Sequence, residues 1–372
     1  MKKKTKKLFI NGCNISHGGP LTILKEAILS ANLYFNKNWE INIIIQDKKI
    51  FTKKEIIFLK EKNIKIHQFP KIKNSWIQRI LYELIIFKKI FKNIKIDLWV
   101  SIQDITTLVL AKKKYVYCHS PIAFYKMSIR DIYFEPISFM RSLIFKIIYK
   151  MNILSNDGVI VQQSWLRKLF YDLTAHKNII VSHPNLEKKK NTLHFKKNNK
   201  NKVFIYPSVP RFQKNFEVVC KAVEILVKKG IKNFQIKLTF SGNENRYSRY
   251  IYNNYSQYRQ IKFIGYQTKK NMDKLYRSSD SLIFSSKLET WGLPISESRR
   301  NGLQLFVAKE NYAYEPIGLY KKVKLFNNLD AFYLSKLINK YIKNELKNSK
   351  IKKLRIHKPH TKNWKEFWKL IE

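Results

Sequence analysis

The sequence predicts an α/β protein of two doubly wound parallel-sheet domains facing a cleft, and three observations carry that prediction. Short apolar runs alternate with longer helical patterns along the chain, as in βαβ units on a parallel sheet. The alternation breaks once, at a polar lysine-rich stretch, and then restarts. The length of 372 residues suits two domains of about 100–200 residues each.

Composition supports folding. Hydrophobic residues make up 45% and aromatics 14%, with only 10 Gly and 10 Pro, whereas a disordered basic tail would be poor in aromatic and β-branched residues. The 73 Lys+Arg exceed the 26 Asp+Glu by 47 charges. These lysines are spread evenly beside Ile and Asn, as in Lys62-Asn63-Ile64-Lys65-Ile66. The surplus therefore reads first as compositional habit, then as attraction to an anionic membrane surface, and last as nucleic-acid binding. No zinc-finger spacing or RNA-recognition signature is present, so no nucleic-acid partner is expected.

Cys13, Cys118 and Cys220 are far apart, which argues against a disulfide framework or structural zinc and suits a reducing cytosol. Residues Met1–Lys7 are basic, but only Leu8-Phe9-Ile10 follows, too short for the roughly 7–15 apolar residues of a signal-peptide core. No stretch approaches the roughly 18 apolar residues of a spanning helix. The expected location is cytoplasmic, peripheral on the inner face of the cytoplasmic membrane.

The elements follow in order. Lys7–Asn11 is a strand, and after Ser16-His17-Gly18-Gly19-Pro20 an apolar helical pattern runs through Leu24, Ala27, Ile28 and Ala31. Further strands are expected at Ile41–Ile45, Ile64–Ile66, Leu98–Ile102, Tyr115–Cys118 and Gly158–Val161, with helices over Trp76–Phe91 and Ile137–Leu154. In the latter, Met140, Leu143, Ile144, Ile147, Ile148 and Met151 share one helical face, with Lys146 and Lys150 off it. The plainer expectation is that this face docks on the sheet; the alternative is that it rests on a membrane.

The first domain is set at residues 1–185 and the linker at 186–202. The second domain, 203–358, opens with a strand at Val203–Tyr206 and a helix at Phe216–Lys229 closed by Gly230. Strands at Gln235–Phe240, Ile261–Ile264, Ser281–Phe284 and Leu305–Ala308 alternate with helices at Asn271–Ser278 and Leu293–Asn301. Residues 359–372 end in a helix whose Trp364, Phe367, Trp368 and Ile371 require a docking surface, expected on the first domain.

Ligands of open α/β sheets bind beyond the carboxyl ends of the strands, which puts weight on three loops. Gly18-Gly19 stands between a strand and a helix N-terminus, reading equally as a tight turn or a phosphate loop. Arg211 and Lys214 precede another helix N-terminus, a place suited to phosphate oxygens. Glu289 and Glu297 lie eight apart around Thr290-Trp291-Gly292-Leu293-Pro294. A dipole-matching acid explains Glu297 but not Glu289; a loop acid at a cleft can accept hydrogen bonds from sugar hydroxyls.

With these residues in view, the chain resembles the retaining glycosyltransferases of the GT-B fold, glycosyltransferase family 4 or group 1 type. Glu289 and Glu297 match the E-x7-E motif of that family. The wording of Tyr206–Glu217, Ser241–Tyr247, Leu288–Pro294 and Tyr312–Glu315 is similar to a bacterial surface-polysaccharide branch. The resemblance implies that Gly18 and Gly19 approach the donor phosphate or acceptor, and that Arg211 and Lys214 neutralise the diphosphate. It further implies that Glu289, within Glu289-Thr290-Trp291-Gly292-Leu293, binds the donor sugar and that Glu297 holds the nucleotide ribose. His119 would line the acceptor side, with Gln163 and Ser164 nearby. Many relatives place the diphosphate Arg six residues before the Lys, where this chain has Ser208. Either Arg211 reaches the diphosphate from another point of the loop, or binding rests on Lys214 and backbone N–H groups.

The implied reaction transfers a sugar from a nucleotide-sugar donor to a saccharide or lipid-linked saccharide acceptor with retention. No Asp-x-Asp pair occurs, so neither a metal nor a cofactor is expected. A basic adaptor without catalysis is the rival from another class, and a GT-B epimerase or glycan phosphorylase is the nearer one.

Overall fold

The computed structural model describes residues 5–35, 38–73, 75–184, 201–352 and 354–372. The chain divides into two compact units, one of Met1–Phe124, Arg141–Asn185 and Ile356–Glu372, the other of Tyr125–Met140 and Leu186–Arg355. Most of the expected linker, 186–200, lies outside the described residues.

In chain order the first unit supplies β1 (Lys6–Asn11), β2 (Trp39–Ile45), β3 (Lys65–Gln68), β4 (Ile96–Ser101), β5 (Ala111–Tyr117), β6 (Gly158–Val161) and β7 (Ile179–Ser182). The second supplies β8 (Lys202–Tyr206), β9 (Phe234–Leu238), β10 (Ile261–Phe263), β11 (Ser281–Phe284), β12 (Gln304–Ala308) and β13 (Val323–Phe326). The chain then returns to the first unit as β14 (His360–Thr361).

The first sheet runs β14-β7-β6-β5-β4-β1-β2-β3 and the second β10-β9-β8-β11-β12-β13, with every pairing parallel. Parallel strands buried on both faces must be apolar on both. In β1, Leu8 and Ile10 join one core while Phe9, between them, joins the opposite one, as the two-residue period of a strand dictates.

The final helix, Trp364–Ile371, is capped by Asn363, whose side chain accepts the Glu366 N–H at 2.9 Å. Its Trp364, Phe367, Trp368 and Ile371 are buried in the core that also holds helix Gly18–Tyr34. The Trp368 ring meets Phe35 at 5.4 Å, and Trp364 stacks on Tyr117 at 5.7 Å.

Helix Pro136–Met151 overturns the docked-face expectation. Met140, Leu143, Ile144, Ile147 and Met151 are exposed, Ile148 is half-buried, and the inward face is Ser138, Ser142, Phe145 and Tyr149. The aromatic residues win the interior because they have partners there. Phe145 packs edge-on against Trp76 at 5.6 Å. The Tyr149 hydroxyl donates to Asp104 Oδ1 at 2.8 Å, and it lies 3.0 Å from the Ser120 carbonyl.

Residues Tyr125–Met140, expected within the first domain, pack as part of the second unit. Phe134 stacks on Phe212 at 5.2 Å, Arg130 pairs with Glu217 at 3.1 Å, and Glu135 Oε1 accepts the Phe212 N–H at 2.7 Å.

Candidate active site

The second sheet changes winding direction between β8 and β11, its first and fourth strands in sequence. Crevices at such switch points bind ligands. The loop after β8 ends in a short turn, Phe212–Lys214, and helix Phe216–Lys228. Asn215 between them is left-handed, with φ 53°. The loop after β11 leads into helix Leu293–Arg300.

Buried hydroxyls tie the two loops together. Ser285 Oγ donates to the carbonyls of Lys214 and Asn215, 3.1 and 2.8 Å away, and the Tyr206 hydroxyl also reaches the Lys214 carbonyl. The Lys287 N–H donates to the Gln213 carbonyl at 2.7 Å, and the Tyr312 hydroxyl to the Ser286 carbonyl at 2.7 Å. So anchored, Lys214 Nζ meets Glu289 Oε1 at 2.5 Å, each side chain only 14% exposed. An ammonium beside a carboxylate at a switch point suits a ligand that carries an anion next to a polyol.

Gly292 opens the following helix at φ 81°, a left-handed conformation that a side chain would strain. A Cβ there would also stand 3.1 Å from Ile295 Cδ1. Trp291 is buried, its indole donating to Ser296 Oγ at 3.0 Å, while Thr290 and Leu293 are half-buried. Glu297 lies on that helix and accepts the Tyr276 hydroxyl at 2.7 Å. Burial pushes its carboxyl above the usual range, against that hydrogen bond.

Arg211 takes another direction. Its guanidinium is half exposed and lies 3.6 Å from Glu135 Oε2. Lys214 and Glu289 are brought together, then, whereas Arg211 is engaged by the Tyr125–Met140 segment.

The remaining expected residues belong to the first unit, beyond the carboxyl ends of β1, β5 and β6. Gly18 begins helix Gly18–Tyr34 at φ 72°, exposed beside Gly19. His119 is buried and follows β5. Asp104 Oδ1 accepts the N–H groups of His119 and Ser120 at 2.6 and 2.8 Å. Burial pushes the His119 imidazole below its ordinary range, with Asp104 opposing. Gln163, buried, and Ser164 form the start of helix Ser164–Thr174 after β6.

Sequence inspection missed one group entirely. Glu83 lies in a π-helical turn, Tyr82–Ile86, and is fully buried. Its carboxylate accepts from Asn11 Nδ2 at 3.1 and 3.2 Å, Cys13 Sγ at 2.9 Å and Thr107 Oγ1 at 2.5 Å, and from Gln103 Nε2. Gln103 Oε1 in turn accepts the Asn14 N–H at 2.9 Å. This network fills the switch point of the first sheet, between β1 and β4, and fixes the loops that lead to Gly18 and Asp104. Its only signal was an acid inside an apolar helical run.

Comparison with known proteins places this geometry. The chain superposes on the lipopolysaccharide outer core galactosyltransferase WaaB at TM-score 0.63 and 15% identity, covering 92% of this chain and 91% of that one. Sucrose-phosphate synthase from Thermosynechococcus elongatus matches at TM-score 0.64 and 12% identity, over 91% and 90%. Anabaena HepE in complex with UDP-glucose matches at TM-score 0.60 and 13% identity, over 91% and 90%. No curated protein matches by sequence.

The fold is GT-B. Residues 186–355 match the family described as glycosyl transferases group 1.

Proposed function

We propose that the protein transfers a glycosyl group, with retention and without a metal, from a nucleotide sugar to a saccharide or lipid-linked saccharide in surface-polysaccharide synthesis. The acceptor would be presented at the cytoplasmic face of an anionic membrane. The observation that carries this reading is the Lys214–Glu289 pair at the switch point of the second sheet.

Negative charge grows on the diphosphate as the glycosidic bond breaks, and a preorganised cation lowers that barrier most. Lys214 supplies it: the diphosphate takes the ammonium over from Glu289, and the freed carboxylate accepts hydrogen bonds from the donor-sugar hydroxyls. Glu297 accepts from the ribose, and Thr290-Trp291-Gly292-Leu293 shapes the backbone around the donor. Arg211 lends positive charge from the edge of the same loop. On the acceptor side, His119, neutral in its buried setting, and the exposed Gly18-Gly19 turn receive the incoming saccharide, flanked by Gln163 and Ser164.

Support for the pathway comes from the similarity to an outer-core galactosyltransferase, and for the donor class from the HepE complex with UDP-glucose. Metal independence rests on the lack of an Asp-x-Asp pair in the sequence.

Thermal-shift screening against UDP-, GDP- and dTDP-sugars identifies the donor. Transfer is then followed by NMR in excess EDTA. The expected product keeps the anomeric configuration of the donor at an undiminished rate. An inverted product, or one that forms only with added metal, contradicts the proposal.

A further inference from the structure

We infer that the outward face of helix Pro136–Met151, with the neighbouring helical stretch Trp76–Ile90, docks on an anionic lipid bilayer. This deepens the membrane-side part of the proposed function by naming the surface that makes the contact.

Leu143, Ile147 and Met151 form an apolar stripe that faces solvent, with Ile147 59% exposed. In helical projection Arg141 borders the stripe on one side and Lys146 and Lys150 on the other, all three exposed. Trp76 of the second stretch packs on Phe145 of the first, and Ile77, beside it, is 79% exposed. Leu81 and Ile85 continue the apolar positions outward, and Lys88 and Lys89 are exposed behind them.

Charge selects the occupant. The two stretches contain a single carboxylate, Glu83, and it is turned wholly inward. Their accessible surface is thus apolar and cationic, without an acid to repel phosphate. A second copy of a chain carrying +47 would set like charges against each other across this face. An amphipathic helix bordered by Lys and Arg lies in the headgroup region with its apolar side in the acyl boundary. Each cation near an anionic surface adds to that attraction. The helix does not span: it has 16 residues, against the roughly 20 that a bilayer core requires. No helix among the described residues is long and apolar enough to cross a membrane.

The full chain is floated with vesicles of one-third phosphatidylglycerol in phosphatidylethanolamine, and with pure phosphatidylcholine vesicles, without donor or acceptor. Binding to the anionic vesicles is expected, weakened by salt. Leu143→Glu with Ile147→Glu should cut it by at least about tenfold, and Lys146→Glu with Lys150→Glu should weaken it as well. These positions are exposed, so thermal stability and calorimetric binding of nucleoside diphosphate should stay as in the parent. That keeps a failure of the docking surface distinct from a failure of the transferase reading. Equal flotation of the Leu143→Glu, Ile147→Glu variant overturns the inference. So does equal binding to both vesicle types, or a parent dimer that the variant abolishes.

Discussion

Lys214 and Glu289, 75 residues apart in sequence, meet at 2.5 Å on the loops that follow two adjacent strands. Neither loop makes that contact alone. Ser285 holds the Lys214 carbonyl and Tyr312 holds the Ser286 carbonyl, so the hydroxyls beneath set the register of the charges above. Such a pair, partly sheltered from water, holds both groups in place until a ligand offers each a better partner.

Glu297 is expected to set stability against recognition. Burial raises its carboxyl pKa, so the folded state binds the proton more tightly than the unfolded one. Stability therefore falls as pH rises through the window above the ordinary glutamate value of about 4.3. Glu297→Gln keeps an acceptor for the Tyr276 hydroxyl and removes the buried charge. At neutral pH the melting temperature of the ligand-free variant should equal or exceed that of the parent. Its affinity for nucleoside diphosphate should fall about tenfold, the loss of one hydrogen bond to a charged group. An unchanged affinity by calorimetry removes Glu297 from ribose binding.

Arg211 is expected to contribute less than Lys214. Its guanidinium is half exposed and already engaged by Glu135. Lys214→Ala is expected to lower kcat by about 10²–10³-fold, as for other donors aimed at developing charge. Arg211→Ala should lower it by about tenfold or less, as fits an exposed charge. Steady-state rates of the two variants decide this, and equal losses would put the guanidinium on the diphosphate.

His119 is expected to make the fold acid-sensitive. Burial depresses its pKa, so below the unfolded value of about 6.5 the unfolded chain takes up a proton that the folded chain resists. Stability falls as pH drops through that window. His119→Asn should make the slope of denaturation midpoint against pH shallower between pH 6.5 and the onset of acid unfolding. An identical slope means that the imidazole is not the group responsible.

The terminal helix holds the first unit together. Trp368→Ala empties a fully buried position and should cost about 3–5 kcal/mol, read by urea denaturation. A cost below about 1 kcal/mol would show the helix to be dispensable.

Much of this was legible in the sequence because periodicity and loop residues agreed. β6 and β11 match their expected bounds at Gly158–Val161 and Ser281–Phe284, and Glu289 stood out because acids are scarce. Four features were not legible, each for a tertiary reason. Helix Arg246–Tyr255 is amphipathic through tyrosines that serve as core and surface alike. The outward apolar stripe of Pro136–Met151 has the same period as an inward one, and only the partners of Phe145 and Tyr149 fix its direction. Glu83 gains its four donors from two other segments, and the Arg211–Glu135 pair joins residues 76 apart.

The most direct test is calorimetric titration of the parent, Lys214→Ala and Glu289→Gln with UDP, GDP and dTDP. If Lys214 grips the diphosphate and Glu289 the sugar, Lys214→Ala loses most of the affinity for the preferred nucleotide. Glu289→Gln, with its ammonium released, binds that nucleotide at least as tightly as the parent yet gains nothing from an attached sugar. Parent-like nucleotide affinity in Lys214→Ala would contradict the account at its centre.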